Sequence, residues 1–306
     1  MQLKKIKKWF NMLTGKGVLH IDKGEGANWS MEKICGYYID YSGKTATNQL
    51  DEAGIPYSKL ADGREEKLPI TVIQYGLGCY EKIISGDDSF AVPLKICADY
   101  MLEIQHEDGM WDAFKAQKKK DYYSSMIQSQ GVSMMLRVYM LSGEEKYLNS
   151  AERAFSAMMK PVEKGGTALL KNGHIHLLEA VDRPMILNGA IYSAFGVLDM
   201  WVMTKEEKYH EILISVLAAI KDELENFDTG FWSRYCLDGA YASPFYHKVH
   251  ITQLKLMAKL FDEDVFLQEA LKYEKYMSRR FNYFLAFTIK AFQKITEKND
   301  IIAIIE

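Results

Sequence analysis

From Ile70 almost to the C-terminus, apolar residues recur at three- and four-residue spacing, the pattern of helices that bury one face. The pattern repeats. Gly78–Phe90, Leu136–Leu148, Leu198–His210 and Met257–Leu267 each read as the end of an apolar helix, a tight polar turn and an acidic helix start. Acidic residues suit the positive end of the helix that follows such a turn. The period is roughly 55–60 residues, above the usual solenoid range, so each unit is a pair of helices plus a long loop. Stacked pairs that curve round predict a mainly all-α fold, an incomplete α/α toroid built from repeated helix pairs. Only six prolines occur, which agrees, since proline breaks helix interiors. Residues 36–69 read instead as extended or irregular, with a short strand at Gly36–Tyr41 and a turn at Gly54-Ile-Pro56. Residues 1–35 mix a basic amphipathic start with Gly-rich loops. The chain therefore divides into a basic N-terminal segment (1–35), a helical-repeat domain (36–282) and a C-terminal helical tail (283–306).

The tight turns belong at one end of the units, so the variable loops gather at the other. These are His106–Asp112, Gly165-Gly166 and Asp228–Trp232. Their Trp and Tyr rings suit sugar faces or, less specifically, protein partners. The third loop runs through Asn226–Tyr235 and rests on the turn formers Asp228, Thr229 and Gly230. Trp232, Arg234, Tyr235, Tyr241, Tyr246, His247 and His250 then crowd together before Ile251, Leu254 and Met257 resume helical spacing. A helix start favours negative charge, Arg and His add to it, and Tyr can pass a proton. The functional reading is chemistry on an anion; the plainer one is an aromatic cluster packed under a loop.

Lys and Arg number 38 against 41 Asp and Glu, a net charge of −3, so no global field favours nucleic acid. An anionic ligand needs a local patch. Lys118-Lys-Lys120, followed by Tyr122 and Tyr123, is one candidate for electrostatic capture of an acidic polysaccharide, and equally a solvated loop. Cys35, Cys79, Cys97 and Cys236 lack zinc-ligand spacing and read as reduced thiols, as in a cytoplasmic protein. The start, Met1–Phe10, is basic, but its apolar run is too short for a signal core or a membrane span. A weak membrane-surface contact through this N-terminus is one expectation and a docked terminal helix the other. The expected location is cytoplasmic, with a peripheral position at the inner membrane face as its variant.

Several stretches carry a resemblance. They are Gly36–Asp40, Pro69–Gly78, Met126–Gly131 with Arg137, Leu187–Ser193 with Phe195-Gly196, Asp228–Gly230 and Tyr246–Leu254. In this order and spacing the chain resembles the C-terminal catalytic domain of D-glucuronyl C5-epimerases, which act on heparosan-type polysaccharides, over roughly residues 36–275. The resemblance implies an isomerase of polysaccharide biosynthesis with a substrate groove in an α/α toroid. It also implies a homodimer and a uronic-acid-containing polysaccharide as partner. No cofactor or metal is expected: His247 and His250, three apart at a helix start, have the spacing of metal ligands but suit a hydrogen-bonding role better.

Such a reaction removes the weakly acidic C5 proton beside the carboxylate of D-glucuronate and returns it from the opposite face, giving L-iduronate. The carboxylate must be neutralised for the enediolate-like intermediate to form, and each face of the ring needs a proton-transfer group. In this family tyrosines and a glutamate at the groove serve as acid and base. Tyr235 and Tyr246 fall on two of the tyrosine positions, and Glu179 remains. Candidates for the carboxylate are Arg234, Arg183, Arg137, His247 and His250; Asn188, Gln128, Gln130, Tyr38 and Trp232 complete the expected substrate contacts. Arg137, inside an apolar helix, also suits a buried ion pair.

One departure stands out. Where the family has Leu-Glu-Glu-Tyr-Pro, this chain has Leu178-Glu-Ala-Val-Asp-Arg-Pro184, which puts Val181 on a catalytic tyrosine. Glu179, Asp182, Tyr192 and Tyr38 are the candidates to replace it. The rival readings are a polysaccharide lyase, which begins with the same abstraction, and a non-catalytic carbohydrate-binding relative. A glycoside hydrolase would need facing carboxylates, for which Asp112, Glu179 and Asp228 are the candidates.

Overall fold

A computed structural model describes residues 10–11, 24–60, 62–113 and 122–296. Most of the basic N-terminal segment, the Lys118-Lys-Lys120 run and the end of the C-terminal tail lie outside the described residues. The fold is mainly α-helical, with ten helices and small sheets among the described residues. A short α1 (Lys44–Thr47) precedes four helix pairs. These are α2 (Pro69–Ile84) with α3 (Ala91–Glu103), and α4 (Ser125–Ser142) with α5 (Glu145–Met158). Then come α6 (Leu187–Thr204) with α7 (Glu207–Glu223), and α8 (Pro244–Phe261) with α9 (Asp264–Ser278). The last helix, α10 (Arg280–Thr296), runs through the division expected between 282 and 283.

The repeat turns fall where the sequence placed them. α4, α6 and α8 end on Gly143 (φ 69°), Lys205 (φ 56°) and Asp262 (φ 53°), all left-handed. Only glycine takes that conformation without a Cβ penalty of roughly 1 kcal/mol. Asp262→Gly is therefore expected to raise the unfolding free energy by about 1 kcal/mol in urea titrations; a loss of stability would contradict this account of the turn.

Two layers result. α2, α4, α6 and α8 pack side by side in that order, and α3, α5, α7 and α9 back their own partners. α6, a central inner helix, is covered on all sides: Leu187–Met200 is buried without a break. α5, in the outer layer, buries one stripe, Tyr147, Ala151, Ala154, Phe155 and Met158. Gly196 lets α6 approach α4, since a Cβ there would lie 2.3 Å from Ser129 Oγ. That hydroxyl donates to the Tyr192 carbonyl (2.7 Å) and accepts from the Gly196 amide (2.9 Å).

Gly36–Tyr41 is not a strand. It threads into the core with Tyr37, Tyr38, Ile39 and Tyr41 buried, and Ile39 makes an isolated bridge to Glu25. Three short strands follow it, β1 (Gln49–Leu50), β2 (Pro56–Lys59) and β3 (Glu65–Glu66), antiparallel in that order. A second hairpin, β4 (Ala168–Lys171) and β5 (His174–Leu177), interrupts the expected helical run. Its turn is Asn172-Gly173, both at positive φ, the strongest short hairpin signal a sequence carries. Among the described residues no helix is long and apolar enough to cross a membrane. The four thiols are free.

Candidate active site

β5 runs directly into the segment 178–186 that leads to α6, and this segment pairs with the loop 227–242 that leads to α8. Ile186 bridges Cys236, the Leu187 amide donates to the Tyr235 carbonyl (3.2 Å), and the Leu237 amide donates to the Met185 carbonyl (3.1 Å). On the other side the Ser125 amide donates to the Leu178 carbonyl (3.0 Å). The loop turns at Gly230 (φ 80°), whose amide donates to Asp228 Oδ1 (2.7 Å). Two helix starts and two irregular segments thereby converge on one small region.

A carboxyl and a set of phenols meet there. The Tyr235 hydroxyl donates to Glu179 Oε1 (3.3 Å), and the Tyr235 and Tyr246 ring centres are 4.8 Å apart, tilted at 57°. Burial pushes the Glu179 carboxyl up to about 7, against the opposing pull of the Tyr235 hydroxyl and Arg183. Burial also raises both phenols, and the charge on Glu179 adds to it: Tyr246 reaches about 12 and Tyr235 lies well above its ordinary value. Tyr192, behind them on α6, is raised by burial, with Tyr246 and Glu179 contributing. Among the described residues Glu179 Oε2 has no hydrogen-bond partner. It sits against Gly189, where a Cβ would lie 2.2 Å from it.

Two cations flank the group. Arg183 pairs with Asp238, with Nε donating to Oδ2 at 2.9 Å. Lys290 arrives from α10, is buried, and holds its ammonium 6.0 Å from the Tyr235 ring centre. α10 is fixed there by Gln293, which accepts from the Tyr241 amide (3.1 Å) and donates to the Gly239 carbonyl (3.2 Å). A carboxyl poised near neutral pH beside phenols can exchange protons with a bound carbon acid, and flanking cations suit a substrate carboxylate.

The D-glucuronyl C5-epimerase C-terminus family matches residues 104–275, more than half of the chain. The chain belongs to that family. The match runs from the end of α3 to α9 and takes in Glu179, Tyr235 and Tyr246. A D-glucuronyl C5-epimerase of Caenorhabditis elegans is 25% identical over 219 residues, 62% of this chain and 36% of that protein. The chain thus spans little more than a third of that relative's length. An uncharacterized protein of Methanocaldococcus jannaschii is 26% identical over 253 residues, 79% of this chain and 80% of its own. A crystal structure of D-mannose isomerase gives a TM-score of 0.48 at 11% identity, covering 72% of this chain and 59% of that one.

In this C5-epimerase family member the expected contact residues separate into two groups. Glu179, Tyr235, Tyr246 and Arg183 come together as described. Arg234 stays half-buried in the loop wall, bridged to Tyr241. Asn188 and Gln130 are buried on the inner helices, and Asn188 Oδ1 and Gln130 Nε2 have no hydrogen-bond partner among the described residues. Gln128 donates to the Trp111 carbonyl (3.1 Å).

The second group lies in the core and is shut off from any ligand, which corrects the expectation. Arg137 pairs with Asp199 at 2.6 Å, both 1% exposed, and the Tyr38 hydroxyl donates to the same Asp199 at 2.8 Å. Trp232 is sealed beneath the loop, donating to the Ala242 carbonyl (3.0 Å) and stacked on His247 at 3.8 Å. His247 Nε2 faces the Tyr273 carbonyl (3.0 Å), which assigns its proton to Nε2 and leaves Nδ1 as acceptor. Ser233 Oγ lies 2.7 Å from that Nδ1 and 2.9 Å from His250 Nδ1. Burial pushes His247 down to about 4 and His250 well below its ordinary value, so both are neutral at pH 7. The plainer reading of the aromatic cluster holds for these three: they seat the loop that carries Tyr235.

Of the candidate replacements at Val181, Tyr38 is committed to Asp199, while Asp182 is exposed and accepts from Tyr122. Lys290 was missed altogether. Its only signal is a lysine among the apolar residues Phe287, Ile289, Ala291 and Phe292.

Gly189→Ala should push Glu179 off Tyr235 while keeping a helix-compatible backbone. A displacement of about 1 Å costs up to about 100-fold in turnover, so a drop of about 10–100-fold in catalytic rate with an unchanged circular dichroism spectrum is expected.

Proposed function

We propose that this chain inverts C5 of hexuronic acid residues, D-glucuronate to L-iduronate, in an acidic polysaccharide of the heparosan type. The observation that carries the reading is the Tyr235–Glu179 hydrogen bond, with the Glu179 carboxyl near 7. Tyr235 oxygen takes the C5 proton of glucuronate while its own proton passes to Glu179. The C5–H electron pair moves into the enediolate of the substrate carboxylate. Arg183 and Lys290 offset the charge that collects on the carboxylate oxygens. The relay lets a phenol of raised pKa act as a base, because the proton ends on a carboxyl matched to neutral pH.

Glu179 must be ionised for this step. Its folded pKa, about 7, lies above the ordinary 4.5, so the active form is lost as pH falls through 7. We expect kcat/KM to rise with pH to a plateau above an apparent pKa near 7, and Glu179→Gln to remove both the limb and most of the rate. A rate independent of pH between 5.5 and 8.5 would speak against Glu179.

The test of the reaction is incubation with unsulfated heparosan in heavy water, read by NMR. Deuterium at C5 together with iduronate signals supports the proposal. A product absorbing in the ultraviolet, from loss of the C4 substituent, supports a lyase instead. Binding without exchange supports a non-catalytic relative.

A further inference from the structure

Inversion requires a proton donor on the face opposite Tyr235, and Val181 carries no proton to give. The groups already described form one cluster: the Tyr235 hydroxyl donates to Glu179, and its ring centre lies 4.8 Å from that of Tyr246. A second phenol–carboxylate pair lies beside it. Tyr122 enters from the segment that leads into α4, and its hydroxyl donates to Asp182. Its own carbonyl accepts from the Ala113 amide (3.2 Å), and the neighbouring Ser125 amide ties the segment to Leu178. The rings of Tyr122 and Tyr235 pack on the same apolar patch, Ala180, Ile186, Cys236 and Ala240. The stretch 179–182 therefore pins two phenols, Tyr235 through Glu179 at its start and Tyr122 through Asp182 at its end. Glu179 is half-buried, whereas Asp182 is exposed, so the second pair is in contact with solvent.

We infer that Tyr122 is the second proton-transfer residue, giving the proton to C5 from the face opposite Tyr235, with Asp182 positioning its hydroxyl. The inference rests on the epimerase reading above. The Tyr122 O–H bond breaks as the new C5–H bond forms with the electron pair of the enediolate, which returns to an ordinary carboxylate. The Tyr122 oxygen recovers a proton from solvent, and Glu179 releases one to solvent, so no other reactant is consumed. A phenol is a competent acid here even where burial and Asp182 raise it, because the C5 carbanion is a far stronger base. In the reverse direction Tyr122, its proton lost to solvent, takes the C5 proton of iduronate, and Tyr235 gives a proton to the other face as protonated Glu179 restores its hydroxyl.

The test compares wild type with Tyr122→Phe on two polymers in heavy water, heparosan and an iduronate-containing product prepared from it. Folding is checked by circular dichroism. We expect the variant to take up deuterium at C5 of glucuronate within about threefold of wild type, while glucuronate–iduronate conversion and exchange at iduronate fall by at least about 100-fold. Exchange without inversion is a result that mere structural damage does not give. Asp182→Asn, which keeps the phenol and the shape, should lower conversion by about 10-fold and leave glucuronate exchange in place. Conversion by Tyr122→Phe at the wild-type rate overturns the inference, as does equal loss of exchange at both epimers in a folded variant. A wild-type chain that exchanges neither epimer overturns the epimerase reading itself, and this inference with it.

Discussion

Tyr235→Phe is expected to lower C5 inversion by about 100- to 10,000-fold, the range for removing a positioned proton-transfer group. The substitution deletes one oxygen. The ring keeps its place against Tyr246 and on the Ala180–Cys236 patch. What is lost is the hydroxyl that donates to Glu179, and with it the path by which a C5 proton reaches a carboxyl. A second effect separates this account from a simple packing defect. The Tyr235 hydroxyl holds the Glu179 carboxyl down, so its removal should move the acid limb of any residual activity above 7. Steady-state rates of iduronate formation across pH check both points. A loss under threefold would exclude Tyr235 from proton transfer.

Arg137→Met is expected to cost about 3–5 kcal/mol of stability, the usual penalty for stranding one member of a buried ion pair. Arg137 and Asp199 join α4 to α6, and the guanidinium also donates to the Ser133 (2.9 Å) and Gly36 (3.0 Å) carbonyls. It lies 5.2 Å over the Tyr37 ring. One side chain thus ties two inner helices to the irregular N-terminal segment. Replacing both partners by apolar groups, Arg137→Met with Asp199→Leu, should recover most of the loss, because the dominant cost is the uncompensated charge. Urea titrations of the two variants decide this. A loss below 1 kcal/mol in the single variant would mean that the pair is not closed to water.

The helix pairs were legible because their determinants are local: three- and four-residue spacing, a polar turn, an acidic start. The turn residues were only partly legible. Gly143 announces a left-handed position, whereas Lys205 and Asp262 occupy the same place in their units without any such signal. The β4–β5 hairpin breaks the expected helical run although Asn172-Gly173 marks it, because apolar residues on either side keep the helical spacing. At the site, residue type alone could not separate chemistry from packing. Arg137, Tyr38, Trp232 and His247 have the chemistry expected of polysaccharide contacts, and only the fold shows that neighbouring helices enclose them. Glu179 and Tyr235 are 56 residues apart, and their contact depends on the pairing of Ile186 with Cys236. Tyr122 and Lys290 reach the same place from two further segments, and no local pattern ties them to Glu179 and Tyr235.

The most direct test of the central claim is release of deuterium into ordinary water from heparosan labelled at C5 of its glucuronate. We predict that wild type releases the label, that Tyr122→Phe still does so, and that Tyr235→Phe and Glu179→Gln do not. Release by Tyr235→Phe at the wild-type rate, or none by wild type from any uronate polymer tried, would contradict it.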